Sequence, residues 1–268
     1  MMRGLNGAAA GMIAQQRRQE MLTDNLNNMN TPGHKADQAS LRAFPNMLIQ
    51  AAGQGVRGGH IGELATGVYM QERIPHFAQG DLMETGNAAD LALLQSSVPE
   101  GAMLFFAVEG DDGTGRLTRN GSFTVDGEGF LTTAGGRYIL DTEGERIQTG
   151  SEQFRINEEG SVFVEGAEGE EEIARLGVIL AEDPAQLVHE EEGLLRYEGD
   201  EADLLPAAGN DEVTYRIEQG FLERSNVDAS RTMTEMMAAL RSFEANQKIL
   251  QSYDRSLERT VNDVGRIG

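Results

Sequence analysis

Residues 229–264 read ASRTMTEMMAALRSFEANQKILQSYDRSLERTVNDV, and the spacing of their apolar residues decides the fold. Ala229, Met233, Met236, Leu240, Phe243, Gln247, Leu250, Asp254, Leu257, Val261 and Val264 recur at steps of three and four. Such spacing lines one narrow seam of a helix, the pattern of helices that wrap around each other. Asp228 is placed to cap this helix and Gly265 to end it. A second seam opens the chain, through Leu5, Ala8, Met12, Gln15, Gln19, Leu22, Leu26 and Met29. It predicts a helix over residues 3–29, stopped by Pro32-Gly33. Gly4, Gly7 and Gly11 each weaken that helix by about 1 kcal/mol relative to alanine, so it needs a covered seam to be stable.

Charge divides the chain in the same way. The 268 residues carry a net charge of −22. Residues 1–50 are net +2 and residues 228–268 are neutral, which leaves −24 on residues 51–227. The neutral ends can pack without strong self-repulsion, whereas the acidic middle stays solvated. Nucleic-acid binding is excluded, because phosphate neutralisation needs clustered Lys and Arg. No apolar run is long enough to span a bilayer. A cleaved signal peptide puts charge before its apolar stretch, and the first twenty residues have the opposite order. With no cysteine, disulfides, thiolate metal sites and cysteine nucleophiles are out of reach.

Between the ends, short runs of β-branched and aromatic residues alternate with turns. The runs are 103–108, 116–118, 122–125, 130–133, 138–141, 154–156, 161–164 and 175–181. Asp126-Gly127, Gly135-Gly136, Glu143-Gly144 and Glu159-Gly160 fall between them as hairpin turns. The expected fold is α+β: terminal helices pairing as a coiled-coil layer around a central all-β domain, barrel-like or sandwich-like. The expected division is an assembly segment at 1–50, a Gly-rich connector at 51–67, the β domain at 68–221 and a second assembly segment at 222–268. Leu41, Phe44, Met47 and Leu48 suggest a short helix over 36–50. Removing residues 1–35 and 228–268 is expected to leave a soluble, folded, monomeric body.

Chemistry finds little purchase. His34, His60, His76 and His189 are scattered, and His189-Glu190-Glu191-Glu192 lacks the second histidine of a zinc helix. Glu165–Glu172 and Glu198–Asp203 lack the alternating oxygen ligands of an EF-hand and read as solvated charged loops. Gly110–Gly115 lacks the Gly-Lys-Ser/Thr ending of a phosphate loop. No catalytic residue, cofactor or metal is therefore expected. Carboxylates are abundant enough to offer a glycosidase-like pair, so a β-rich cell-wall carbohydrate-active enzyme with helical docking ends is the competing reading. A tethered acidic binding module is a third.

Three sets of residues resemble a known family. Asp24-Asn25-Leu26-Asn27-Asn28-Met29-Asn30-Thr31-Pro32-Gly33-His34-Lys35 is similar to the N-terminal signature of flagellar axial proteins, the rod and hook subunits of the bacterial flagellum. Gly220-Phe221-Leu222-Glu223-Arg224-Ser225-Asn226-Val227-Asp228, with Arg241-Ser242-Phe243-Glu244-Ala245-Asn246, resembles their C-terminal signature. Gly80-Asp81-Leu82, Thr85-Gly86-Asn87 and Leu117-Thr118-Arg119-Asn120-Gly121-Ser122-Phe123 resemble the β-domain of the rod and hook branch. The resemblance implies a basal-body subunit, exported unfolded by the flagellar type III apparatus, that joins other copies and neighbouring axial proteins and is not membrane-inserted. The assembly positions it implies are Leu5, Met12, Leu22, Asn25, Leu26, Asn28, Met29, Thr31 and Gly33. On the C-terminal side they are Met236, Leu240, Phe243, Asn246, Leu250, Leu257 and Val261. Arg119, Gly121, Phe123, Asn226, Val227 and Asp228 carry the signature itself. Three features depart from the family: His34 stands where an aromatic residue is usual, residues 94–103 precede Phe105-Phe106 where the family runs directly into that strand, which implies a displaced first strand or a longer loop, and Glu165–Glu172 is not a family hallmark.

Overall fold

The computed structural model describes residues 2–44, 47–50, 60–64, 67–99, 101–110, 113–151, 153–166, 169–190, 193–199, 203–210 and 212–265. It divides into two compact units, one of Met1–Asn27, Asp37–Ile74 and Asp228–Gly268, the other of Asn28–Ala36 and Pro75–Val227. The architecture is α+β, with helices at both ends of the chain and a β-rich centre.

In the first unit, α1 (Met2–Asn27) and α2 (Ala229–Gly265) pack antiparallel. Gly4 faces Tyr253, Gly11 faces Asn246, and Arg18 pairs with Glu235 at 3.1 Å. Two of the three glycines that weaken α1 in isolation are used here: Tyr253 and Asn246 occupy the space a Cβ on Gly4 or Gly11 would need, while Gly7 faces open space. The side chain of Asp228 accepts from Arg231 N at 3.0 Å and caps α2. Met21, Leu22 and Met70 form a small core with Ala39 and Met236 against it. α2 continues beyond Tyr253 for twelve residues, roughly 18 Å at helical rise.

The short helix expected over 36–50 is not formed; the chain runs as strands Asp37–Ala43 and Met47–Gln50 instead. Asn25 explains the start. Its carboxamide donates to Asp37 O and accepts from Asp37 N, both at 2.8 Å, so it occupies the backbone of Asp37 the way a neighbouring strand would. Pro45 further disfavours helix at Phe44. Asp37–Ala43 then pairs with Val68–Pro75, and Met47–Gln50 with His60–Leu64. Most of the expected connector, residues 51–59 and 65–66, lies outside the described residues.

The second unit is built on a six-stranded antiparallel sheet. Its order is Leu187–His189, Leu194–Tyr197, Gly115–Thr118, Met103–Glu109, Val178–Ala181 and Leu204–Pro206. Met103–Glu109 is buried on both faces: Leu104, Phe106 and Val108 enter one core, Met103 and Phe105 the other. That is why this strand reads as an unbroken apolar run. Of residues 94–103, the first four lie on a strand, Leu91–Ser97, paired with Thr214–Gln219. No closed barrel forms among the described residues, since the sheet ends in two outer strands.

Three hairpins follow one local rule. Asp126, Asp141 and Asn157 each accept two backbone N–H groups, two and four residues on, and Gly129, Gly144 and Gly160 follow at positive φ. The acidic tract expected as a loop is instead partly sheet. Glu170–Glu172 lie on Gly169–Arg175, the outer strand of a three-stranded sheet, with Glu170 opposite Glu165. Consecutive charges on an outer strand discourage pairing with another chain.

Candidate assembly surfaces and a buried ionic hub

The three signature segments meet in the β-rich unit. Gly33 sits at φ +71° with the backbone of Arg119 and Asn120 where a Cβ would go, so only glycine fits. Its N–H donates to Glu223 O at 2.8 Å. Asn226 takes three backbone groups from two other segments: it accepts from Ala36 N at 2.7 Å and donates to His76 O and Ala78 O at 2.7 and 3.0 Å. Gly121 lies so close to Leu91 O that a side chain there has no room, and Phe123 meets Phe106 edge to face at 5.3 Å.

At the centre is Glu223, 2 % exposed, held between two cations that are buried as deeply. Lys35 Nζ reaches its Oε1 at 2.5 Å, and Arg119 Nε its Oε2 at 2.6 Å. Gly80 N also donates to Oε1, at 2.8 Å. Lys35 donates further to Ala78 O, and Arg119 to Leu104 O and Leu93 O. Two positive groups thus share one carboxylate. Burial lowers the pKa of Lys35, Glu223 opposes that shift, Arg119 adds to it, and the result lies below the ordinary lysine value. Burial alone would raise the pKa of Glu223, but Arg119, Lys35 and the Gly80 N–H outweigh it and leave the carboxyl below its usual range. Replacing such a cluster by apolar residues can be neutral, whereas removing Glu223 strands two buried cations.

Lys35 and Glu223 escaped selection as site residues because 188 positions separate them. Nothing in either local sequence marks a partner. His34 and His189, scattered in sequence, come together with ring centroids 6.1 Å apart. No grouping of three or more His, Asp or Glu side chains suited to a metal ion occurs among the described residues. Among those residues, too, no helix is long and apolar enough to cross a membrane.

In the helical unit the expected assembly positions fall into two sets. Leu22 and Asn25 are buried, and Leu5, Met12, Leu26, Met236, Phe243, Asn246 and Leu250 are half-buried. Leu240, Leu257 and Val261 are exposed, Val261 by 69 %. The buried line of α1 runs through Ala8, Gly11, Ala14, Met21, Leu22 and Asn25, rotated slightly from the apolar stripe. Exposed Ile13, Met233 and Met237 add to the uncovered apolar residues of the pair. In the β-rich unit Arg119, Gly121, Phe123 and Gly33 are buried, Asn28, Met29, Thr31, Asn226 and Val227 half-buried. Asn28 accepts from Thr31 Oγ1 at 3.1 Å, a local bond. Asp228 is exposed at the cap of α2.

Helices at the two chain ends, with a β-body between them in sequence that is closed by its own signature residues, define a class of axial building block. Family models agree along the chain. "Flagella basal body rod protein" matches residues 5–35, "Flagellar hook protein FlgE/F/G D1 domain" residues 103–164, and "Flagellar basal body rod FlgEFG protein C-terminal" residues 218–263. The chain is 42 % identical over 277 residues to the flagellar hook-basal body complex protein FlhO of Bacillus subtilis, with all of both chains covered. It is 28 % identical over 270 residues to the flagellar basal-body rod protein FlgG of the same organism, covering 98 % of this chain and 99 % of that one. With FlgG of Borreliella burgdorferi the identity is 30 % over 269 residues, covering 96 % and 97 %. The chain belongs to the flagellar basal-body rod and hook family, and it is a structural axial protein of the flagellar basal body rather than an enzyme.

Proposed function

We propose that this chain is a rod-type subunit that self-assembles through its terminal helices, which form a coiled-coil layer lining a tube and transmit torque for motility. The observation that carries the proposal is the incomplete burial of the helix pair. Met233, Met237, Leu240, Leu257 and Val261 on α2 and Ile13 on α1 are large apolar side chains left exposed in the single chain. They belong to the ends that carry almost no net charge, whereas the middle of the chain is strongly acidic. Copies can therefore approach through the helices with little repulsion and cover that surface. Assembly residues are those already named on α1, α2 and the 28–33 loop, with 1–50 and 222–268 as assembly segments, 51–67 a connector and 68–221 the body. Neighbouring axial proteins are the other partners, and the flagellar type III apparatus exports the chain. Weak helices and an absence of cysteine suit passage as an unfolded chain.

The test is substitution of the exposed residues. Leu240→Asp and Leu257→Asp together should leave the purified chain folded, abolish its recovery in isolated basal bodies and stop motility. Motile cells with normal incorporation would defeat the reading.

A further inference from the structure

The hub is charged unevenly, and its members enter the chain in a fixed order. Lys35 comes first, Arg119 next, and the balancing carboxylate of Glu223 last. All three side chains are 2–3 % exposed. Until Glu223 is in place, closing the body means burying two cations side by side with only backbone carbonyls to answer them. Lys35 would have Ala78 O, and Arg119 would have Leu93 O and Leu104 O. Paired burial of like charges in a low-dielectric interior is strongly unfavourable, and a carboxylate that bridges both reverses the sign. Glu223 also supplies the acceptors for Gly80 N through its side chain and for Gly33 N through its carbonyl. One residue therefore completes four separate interactions.

We propose that the hub is a latch: residues preceding 223 cannot close into the native body until Glu223 arrives and neutralises the pair Lys35–Arg119. The latch acts during any emergence of the chain from its N-terminus. It keeps the first four-fifths of the polypeptide open while the end is still to come. It goes beyond the reading as a rod subunit and does not depend on it, since it concerns closure of the isolated chain. Under that reading it would hold the chain threadable during export.

The experiment is a charge-restoring pair in the full chain. Glu223→Gln keeps an acceptor for Gly80 N and leaves both cations unbalanced, so it imitates a chain whose carboxylate has not arrived. Amide-exchange protection of Met103–Glu109 should fall about a hundredfold or more. Adding Lys35→Met returns the hub to the net charge of the wild type and should recover at least about tenfold of that loss. An unaltered Glu223→Gln protein would overturn the latch. So would a double variant no better protected than Glu223→Gln, the outcome expected if Lys35 and Glu223 were ordinary packing contacts. Neither readout involves flagella, so a failed assembly reading would leave the result intact.

Discussion

The two units of this chain solve the burial problem in opposite ways. The β-rich unit puts Phe105, Phe106, Leu104 and Val108 at zero exposure and closes even three ionic side chains, Lys35, Arg119 and Glu223, inside. The helical unit pairs small residues of α1 with α2, buries a few methionines and leaves large apolar side chains in water. The β-rich unit also leaves Leu82, Met83, Ile173 and Val188 exposed, but beside a large closed core that the helical unit lacks. The difference locates where stability resides and where association is to be expected.

The largest expected effect comes from moving a truncation point by a few residues. From sequence, removal of 1–35 and 228–268 leaves an intact body. In the structure, residues 28–36 belong to that body and Lys35 is part of its interior. A fragment of residues 28–227 should unfold cooperatively, whereas residues 36–227 should be less stable by about 2–4 kcal/mol, because the Lys35 bonds to Glu223 and Ala78 and the Gly33 N bond to Glu223 O are lost while Arg119 still pairs with Glu223. Equal denaturation midpoints for the two fragments would erase the contrast between a closed body and open ends. Next is Gly33→Ala, which places a Cβ against the Arg119 backbone at positive φ. It should destabilise the β-rich unit by about 1–3 kcal/mol, measured by urea unfolding.

Titration sharpens the comparison further. The native pKa of Glu223 lies below its unfolded value, so the stability it contributes is present above pH 4.5 and is lost as pH falls through the native value. The native pKa of Lys35 also lies below its unfolded value of 10.5. Between the two, the unfolded chain binds more protons, so stability rises with pH, at most about 1.4 kcal/mol per unit for one proton. Body unfolding measured from neutral to alkaline pH should show that rise, and Lys35→Met should remove it. The smallest effect on stability is expected at the helices. Leu257→Ser changes an exposed residue and should shift unfolding by no more than about 0.5 kcal/mol, while still reducing incorporation into basal bodies. A large loss of stability would mean that the end of α2 is covered within its own chain.

Local order is legible in the amino-acid sequence. The periods of α1 and α2, the cap at Asp228 and the hairpins built on Asp126, Asp141 and Asn157 all depend on residues within one or two turns of each other. The stretch 36–50 departs from its own pattern because four apolar residues at near-helical spacing cannot outweigh a tertiary partner. Asn25 and the strand Val68–Pro75 supply backbone bonds that a helix would have had to make itself. The family signatures are visible as well, but not what joins them.

By itself the sequence determined two amphipathic helices at the ends, an acidic β-rich middle and the residue types that mark the axial family. Tertiary structure alone decided which side of each helix faces the other, because the period of a stripe does not set its rotation against a partner. It alone also brought Lys35, Arg119 and Glu223 together. Contacts across 104 and 188 positions leave no trace in local spacing, and only the closing of the whole body makes one carboxylate answer two distant cations.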